Sequence, residues 1–81
     1  MSIIQYNKLV YNKLKVAVNR IFLQADKPIV MKTVSTVCNN MKSPWRIYNK
    51  IRDNINLLIN NHQINRKHGA MLLRYIQNEK D

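Results

Sequence analysis

One glycine and two prolines in 81 residues leave this chain few places at which to turn sharply. Glycine supplies the left-handed and strained backbone conformations that tight turns need, and proline starts or stops regular structure. Many short strands require many turns, so the scarcity favours a few long helices. No internal repeat, low-complexity tract or linker divides the sequence, and 81 residues leave room for one core. The expectation is an all-α single domain spanning residues 1–81, built from about four helices at 3–23, 28–39, 44–60 and 62–78.

Apolar spacing sets those limits. Ile3, Tyr6, Val10, Leu14, Ala17 and Ile21 recur at intervals of three and four, which aligns them on one stripe of a helix, with Lys8, Asn12, Lys15 and Asn19 opposite. Asp26 then suits a cap and Pro28 a first turn, where its missing N–H costs nothing. Val30, Val34, Val37 and Met41 continue at helical spacing. The β-branched run IVMKTVSTV also suits a strand, but it lacks strict alternation, so a helix is preferred. Asn39-Asn40 marks the next break, because asparagine tolerates the left-handed conformation where glycine is lacking. Ser43 as N-cap with Pro44 at the first helical position starts the third helix, whose apolar side is Ile47, Ile51, Ile55 and Leu58. Asn60-Asn61 reads as the third break. The last helix, from about His62 or Arg66 to Asn78, presents Ile64, His68, Met71, Leu72, Tyr75 and Ile76, and Gly69 within it points to close approach of another helix.

Charge narrows the function. Fourteen Lys and Arg against four Asp and Glu give a net charge of +10 and an isoelectric point near 10.2. Nucleic acid, an anionic membrane surface or an acidic protein would be attracted to such a chain. Asn, Ile and Lys make up 31 of the 81 residues, and their AT-rich codons suit a low-GC bacterium, a plasmid or a phage. Base composition alone raises Lys, but it does not explain why Asp26 and Asp53 are the only acids before residue 79.

No run of about 18 apolar residues is present to span a bilayer, and charge in MSIIQYNKLVYNKLK occupies the place of a signal peptide's apolar region. A cytoplasmic protein, in the host cytoplasm if viral, without a membrane partner is expected. The single cysteine, Cys38, permits no disulfide within the chain and reads as a small buried apolar thiol. His62 and His68 are six residues apart, off a common helical face and without convergent acids, so no metal site is expected. Neither paired carboxylates, a Gly-rich phosphate loop nor a nucleophile with its base can be assembled, so neither a catalytic role nor a cofactor is expected.

The third helix carries the functional reading. Wound at 100° per residue, Arg46, Asn49, Lys50, Asp53 and Asn56 gather opposite the isoleucines, with Trp45 and Arg52 at one edge. Most of the group lies in the first two turns, where a helix entering the major groove reads base edges. Arg pairs bidentately with guanine and Asn with adenine, while Lys42 and Ser43 can hold phosphate beside the positive end of the helix dipole. The segment VMKTVSTVCNNMKSPWRIYNKIRDNI, a short helix, a tight polar turn and a longer helix with a basic outer face, resembles the helix-turn-helix class of DNA-binding domains. The likeness covers residues 30–55, with Ser35 as the small residue inside the second helix and asparagine in place of the turn glycine. It implies a transcriptional regulator that binds duplex DNA.

Trp45 is open to two readings, as a plug folded back onto the preceding helix near Val37 or Met41, or as an exposed platform. Tyr48 is open in the same way, and exposed aromatics interleaved with Lys and Arg would suit RNA or single-stranded DNA instead. A phage-type accessory protein that binds and inhibits an acidic host protein is the other alternative, with Trp45, Tyr48 and Arg46 as anchors. Leu72, Leu73 and Ile76 exceed what one stripe can bury, which suggests a homodimer through the last helix.

Overall fold

A computed structural model describes residues 2–23, 25–40 and 46–80. Four helices run through them: α1 (Ile3–Ile21), α2 (Asp26–Asn40), α3 (Ile47–Asn60) and α4 (Arg66–Lys80), and no strand occurs among the described residues. Each helix packs on its neighbour in sequence, and α1 meets α4, so the four close into a ring around one core. The radius of gyration is 11.8 Å, close to the roughly 12 Å expected of a compact chain of this length.

The core is the sum of the four apolar stripes. Leu14, Val18 and Phe22 come from the first segment, Val30 and Val34 from α2, Ile47, Ile51 and Ile55 from α3, and Leu72 and Ile76 from α4; all are essentially inaccessible to solvent. Burying a side chain of this size stabilises the fold by about 1.5–3 kcal/mol, so these residues outweigh any surface contact. Cys38 is buried as expected, and burial pushes its thiol up to about 11. Two stripe positions differ from expectation. Ile3 sits at the free end of α1 and is 45% exposed, and Met71 is 49% exposed. The inward side of α4 runs through Gly69, Leu72 and Ile76, which turns residue 71 outward.

The helix ends show what the apolar pattern could not. Ser2 and Gln5 form a reciprocal capping box: Ser2 Oγ accepts from the Gln5 N–H and Gln5 Oε1 accepts from the Ser2 N–H, both at 3.1 Å. The first helix stops at Ile21 because Phe22 adopts an extended backbone and turns its ring into the core. The second begins at Asp26, two residues before the expected start, so Asp26 lies within the helix, and it reaches across the molecule: its Oδ2 accepts from the Asn65 N–H at 2.8 Å. Asn65 in turn caps α4, its Oδ1 accepting from the His68 N–H at 3.1 Å. That cap is why α4 starts at Arg66, the later of the two starts that the sequence leaves open. The described part of α3 starts at Ile47, with Arg46 as N-cap and no side-chain cap bond. Met41, Lys42, Ser43, Pro44 and Trp45 lie outside the described residues, and with them the expected Ser43-Pro44 start.

After α3, the Gln63 N–H bonds to the carbonyl of Leu58 at 2.9 Å and the His62 N–H to that of Ile59 at 3.1 Å. This double bond pattern closes a helix when the residue after the cap is left-handed. His62 takes that conformation, at φ 58°, one position beyond the Asn60-Asn61 break. Inside α4, Gly69 allows the approach its presence implied: a Cβ there would stand 2.7 Å from both Cδ1 and Cγ1 of Ile59.

One buried polar residue ties two helices together. Asn7, 8% exposed on the inner side of α1, donates from Nδ2 to the Cys38 carbonyl at 3.0 Å. Cys38 lies in the last turn of α2, whose carbonyls have no partner within the helix, so Asn7 supplies one from another element.

Candidate nucleic-acid interface

The isoleucine stripe orients α3. With Ile47, Ile51, Ile55 and Leu58 buried, the opposite line of the helix carries Arg46, Lys50, Asp53, Leu57 and Asn60, all exposed. Arg46 and Lys50 stand one turn apart at the N-terminal end, and neither has an acidic partner among the described residues. Arg46 is the N-cap itself, where the positive end of the helix dipole makes a cation unfavourable.

The other expected residues fall in three groups. Arg52 is half-buried and paired with its neighbour, Nη2 and Nε lying 3.2 and 3.3 Å from Asp53 Oδ1. A surface pair of this kind is worth at most about 1 kcal/mol, so it yields readily to a stronger anion. Asn49 is half-buried and its Oδ1 is enclosed with no hydrogen-bond partner among the described residues, which leaves Arg46 and Lys50 as the expected residues of this segment that are fully exposed. Lys42, Ser43 and Trp45 lie outside the described residues. Tyr48 is 8% exposed and belongs to the core. Desolvation pushes its phenol up to about 12, with the nearby Glu79 carboxylate adding to the shift.

Sequence reasoning passed over the α2 side of α3. There Lys32, Thr33, Thr36, Val37 and Asn54 line a groove of about 190 Å³. Asn54 Nδ2 donates to the Lys50 carbonyl at 2.8 Å, one turn back, which pins the amide at the groove's edge. The available signal was the i, i+4 pairing of Lys32 with Thr36 and of Lys50 with Asn54, two polar lines whose juxtaposition depends on how α2 and α3 pack.

Positive charge extends around the whole molecule. Exposed Lys8, Lys15, Arg20, Lys32, Arg66, Lys67 and Arg74 distribute it over α1, α2 and α4, and among the described residues only Lys13, with Glu79 at 3.4 Å, and Arg52 take acidic partners. His68 packs edge-on against Phe22, ring centres 5.9 Å apart. No group of three His, Cys, Asp or Glu side chains that could hold a metal ion converges among the described residues. No helix among them is long and apolar enough to cross a membrane.

Of the three residues on which a homodimer through α4 was expected, Leu72 and Ile76 are buried in the core and Leu73 packs partly against it. No family model, curated protein or solved structure matches the chain. The class defined by the fold and this surface is a basic, all-helical domain of four helices.

Proposed function

We propose that the protein is a non-enzymatic DNA-binding domain, a transcriptional regulator of phage, plasmid or low-GC bacterial origin, which docks duplex DNA through the N-terminal half of α3. The observation that carries the reading is Arg46 and Lys50: two exposed cations one turn apart on the outward line of a helix whose inward line is fully engaged. Lys50 and Arg46 meet base edges, while Lys42, Ser43 and Arg52 hold phosphates alongside. Arg46 also occupies a helix end that would be more stable without its charge, as expected of a residue kept for what it binds.

If about six phosphates are neutralised, the log–log dependence of affinity on salt has a slope of roughly −5. An electrophoretic shift with random duplex DNA over a salt series measures it, and a salt-insensitive or absent shift refutes the reading. Arg46→Ala relaxes sequence preference, whereas Lys42→Ala weakens all sequences alike. Structured RNA as competitor separates the two nucleic acids.

One feature supports a second reading. Leu57, 57% exposed, continues the line of Arg46, Lys50 and Asp53, and an exposed apolar residue on a line that begins with two cations suits an acidic protein partner better than a phosphate backbone. A stoichiometric partner retained from nuclease-treated host lysate, and lost with Leu57→Ser, would favour that reading.

A further inference from the structure

We infer that the groove between α2 and α3 seats one phosphodiester of the DNA backbone, gripped by Lys32 and Thr36 from α2 and by Asn54 from α3. The inference rests on the α3 docking reading and extends it to a second helix.

The groove brings together a cation and two neutral polar groups from two elements. Lys32 is exposed and has no acidic partner among the described residues. The Thr36 side chain is exposed, and its hydroxyl makes no hydrogen bond among the described residues, whereas that of Thr33 is committed to the Ile29 carbonyl at 2.9 Å. Asn54 spends one N–H on the Lys50 carbonyl and keeps its second N–H for a ligand. A tetrahedral monoanion with several acceptor oxygens matches one ammonium and two neutral donors; lysine serves such a group as a point charge. Val37, 7% exposed, contributes an apolar wall of low polarisability, which strengthens the field of Lys32 over the groove.

The position fits the docking line. Asn54 is one turn along α3 from Lys50, about 5–6 Å, so a backbone held at Asn54 runs beside the base-reading residues and not across them. The nearest acid on α3, Asp53, is already turned to Arg52. An acidic peptide is the competing occupant of the same donors, and a continuous phosphate backbone is favoured because it serves Lys32 and the Arg46–Lys50 line at once.

The test is fluorescence anisotropy of a labelled duplex over a salt series, with the full chain and the variants Lys32→Gln, Thr36→Val and Arg46→Ala, each checked for an unchanged helical spectrum. Loss of one phosphate contact should reduce the magnitude of the salt slope by about 0.9 in Lys32→Gln. Thr36→Val should weaken binding about two- to fivefold with the slope unchanged. Neither should alter sequence preference. A salt slope unchanged in Lys32→Gln, with Arg46→Ala still impaired, overturns the groove and leaves the α3 reading standing. Absence of duplex binding by the unaltered protein overturns both. Displacement of the duplex by polyglutamate that is equally effective against the unaltered protein and Lys32→Gln would also overturn the assignment of Lys32 to the backbone.

Discussion

At Arg46 the proposed binding role can be measured apart from stability. Its guanidinium stands at the positive end of α3 with no acidic partner among the described residues, an arrangement that costs about 0.3–1 kcal/mol. Arg46→Gln removes the charge while keeping most of the side chain's reach. Chemical denaturation should therefore show equal or slightly higher stability, while duplex binding falls about tenfold; a variant that loses both would mean that Arg46 serves the fold. The buried acids of the core report on pH. Cys38 is raised from 9.0 to about 11 and Tyr48 from 10.0 to about 12. Both are neutral when protonated, so the folded state keeps protons that the unfolded chain releases. Their contribution is fully present below pH 9 and is lost as pH rises through 11 to 12. Thermal melts across that range should show the midpoint falling, and Tyr48→Phe should flatten the upper part of the fall. Asn7 was invisible to pattern reading, because an asparagine within an apolar stripe looks like an interruption until the carbonyl it serves, 31 residues away, is in view.

At the scale of the elements, the α3 end of the α3–α4 connection is set by backbone geometry. His62 holds a left-handed conformation that costs an ordinary residue about 1–2 kcal/mol. His62→Gly relieves it at the expense of a floppier unfolded chain, for a net gain of about 0.5–1 kcal/mol and a rise in melting temperature of a few degrees. Gly69 shows the opposite balance. Alanine would recover about 1 kcal/mol of helix propensity, but its Cβ would meet the Ile59 side chain at 2.7 Å, and overpacking typically costs about 1–3 kcal/mol. Gly69→Ala should thus destabilise the protein, yet stabilise an Ile59→Ala background; additive effects in that double-mutant cycle would show that the two groups do not press on each other. The existence and type of all four helices, and the inward side of α3, were legible because their apolar residues repeat at helical spacing. The start of α4 was legible only as a choice between His62 and Arg66. Residues 62–65 include apolar Ile64, and the Asp26–Asn65 bond and the cap on His68 settle it for Arg66. Within the candidate site, the outward placement of Arg46 and Lys50 could be read from the same periodicity. The Lys32–Asn54 groove could not, because it depends on the packing of two helices.

For the molecule as a whole, exposed Lys and Arg are spread over all four helices and few of the described ones are paired. With +10 on 81 residues and the described acids Asp53 and Glu79 already paired, the folded state carries self-repulsion that added salt screens over about 10 Å at 0.1 M. The melting temperature should rise by several degrees between low and moderate salt, over the same range in which binding to a polyanion weakens. A protein whose stability ignored salt would have local compensation for its charge that the ion pairs above do not supply.

The link from Asp26 to Asn65 has a consequence for the whole assembly. It fastens the beginnings of α2 and α4, the two helices between which α3 is lodged, so one carboxylate bridges the slot at that end. Hydrogen exchange at the Asn65 amide is therefore a gauge of whether α3 is held or loose. Its protection would disappear first in any excursion that lets the bundle spread without unfolding.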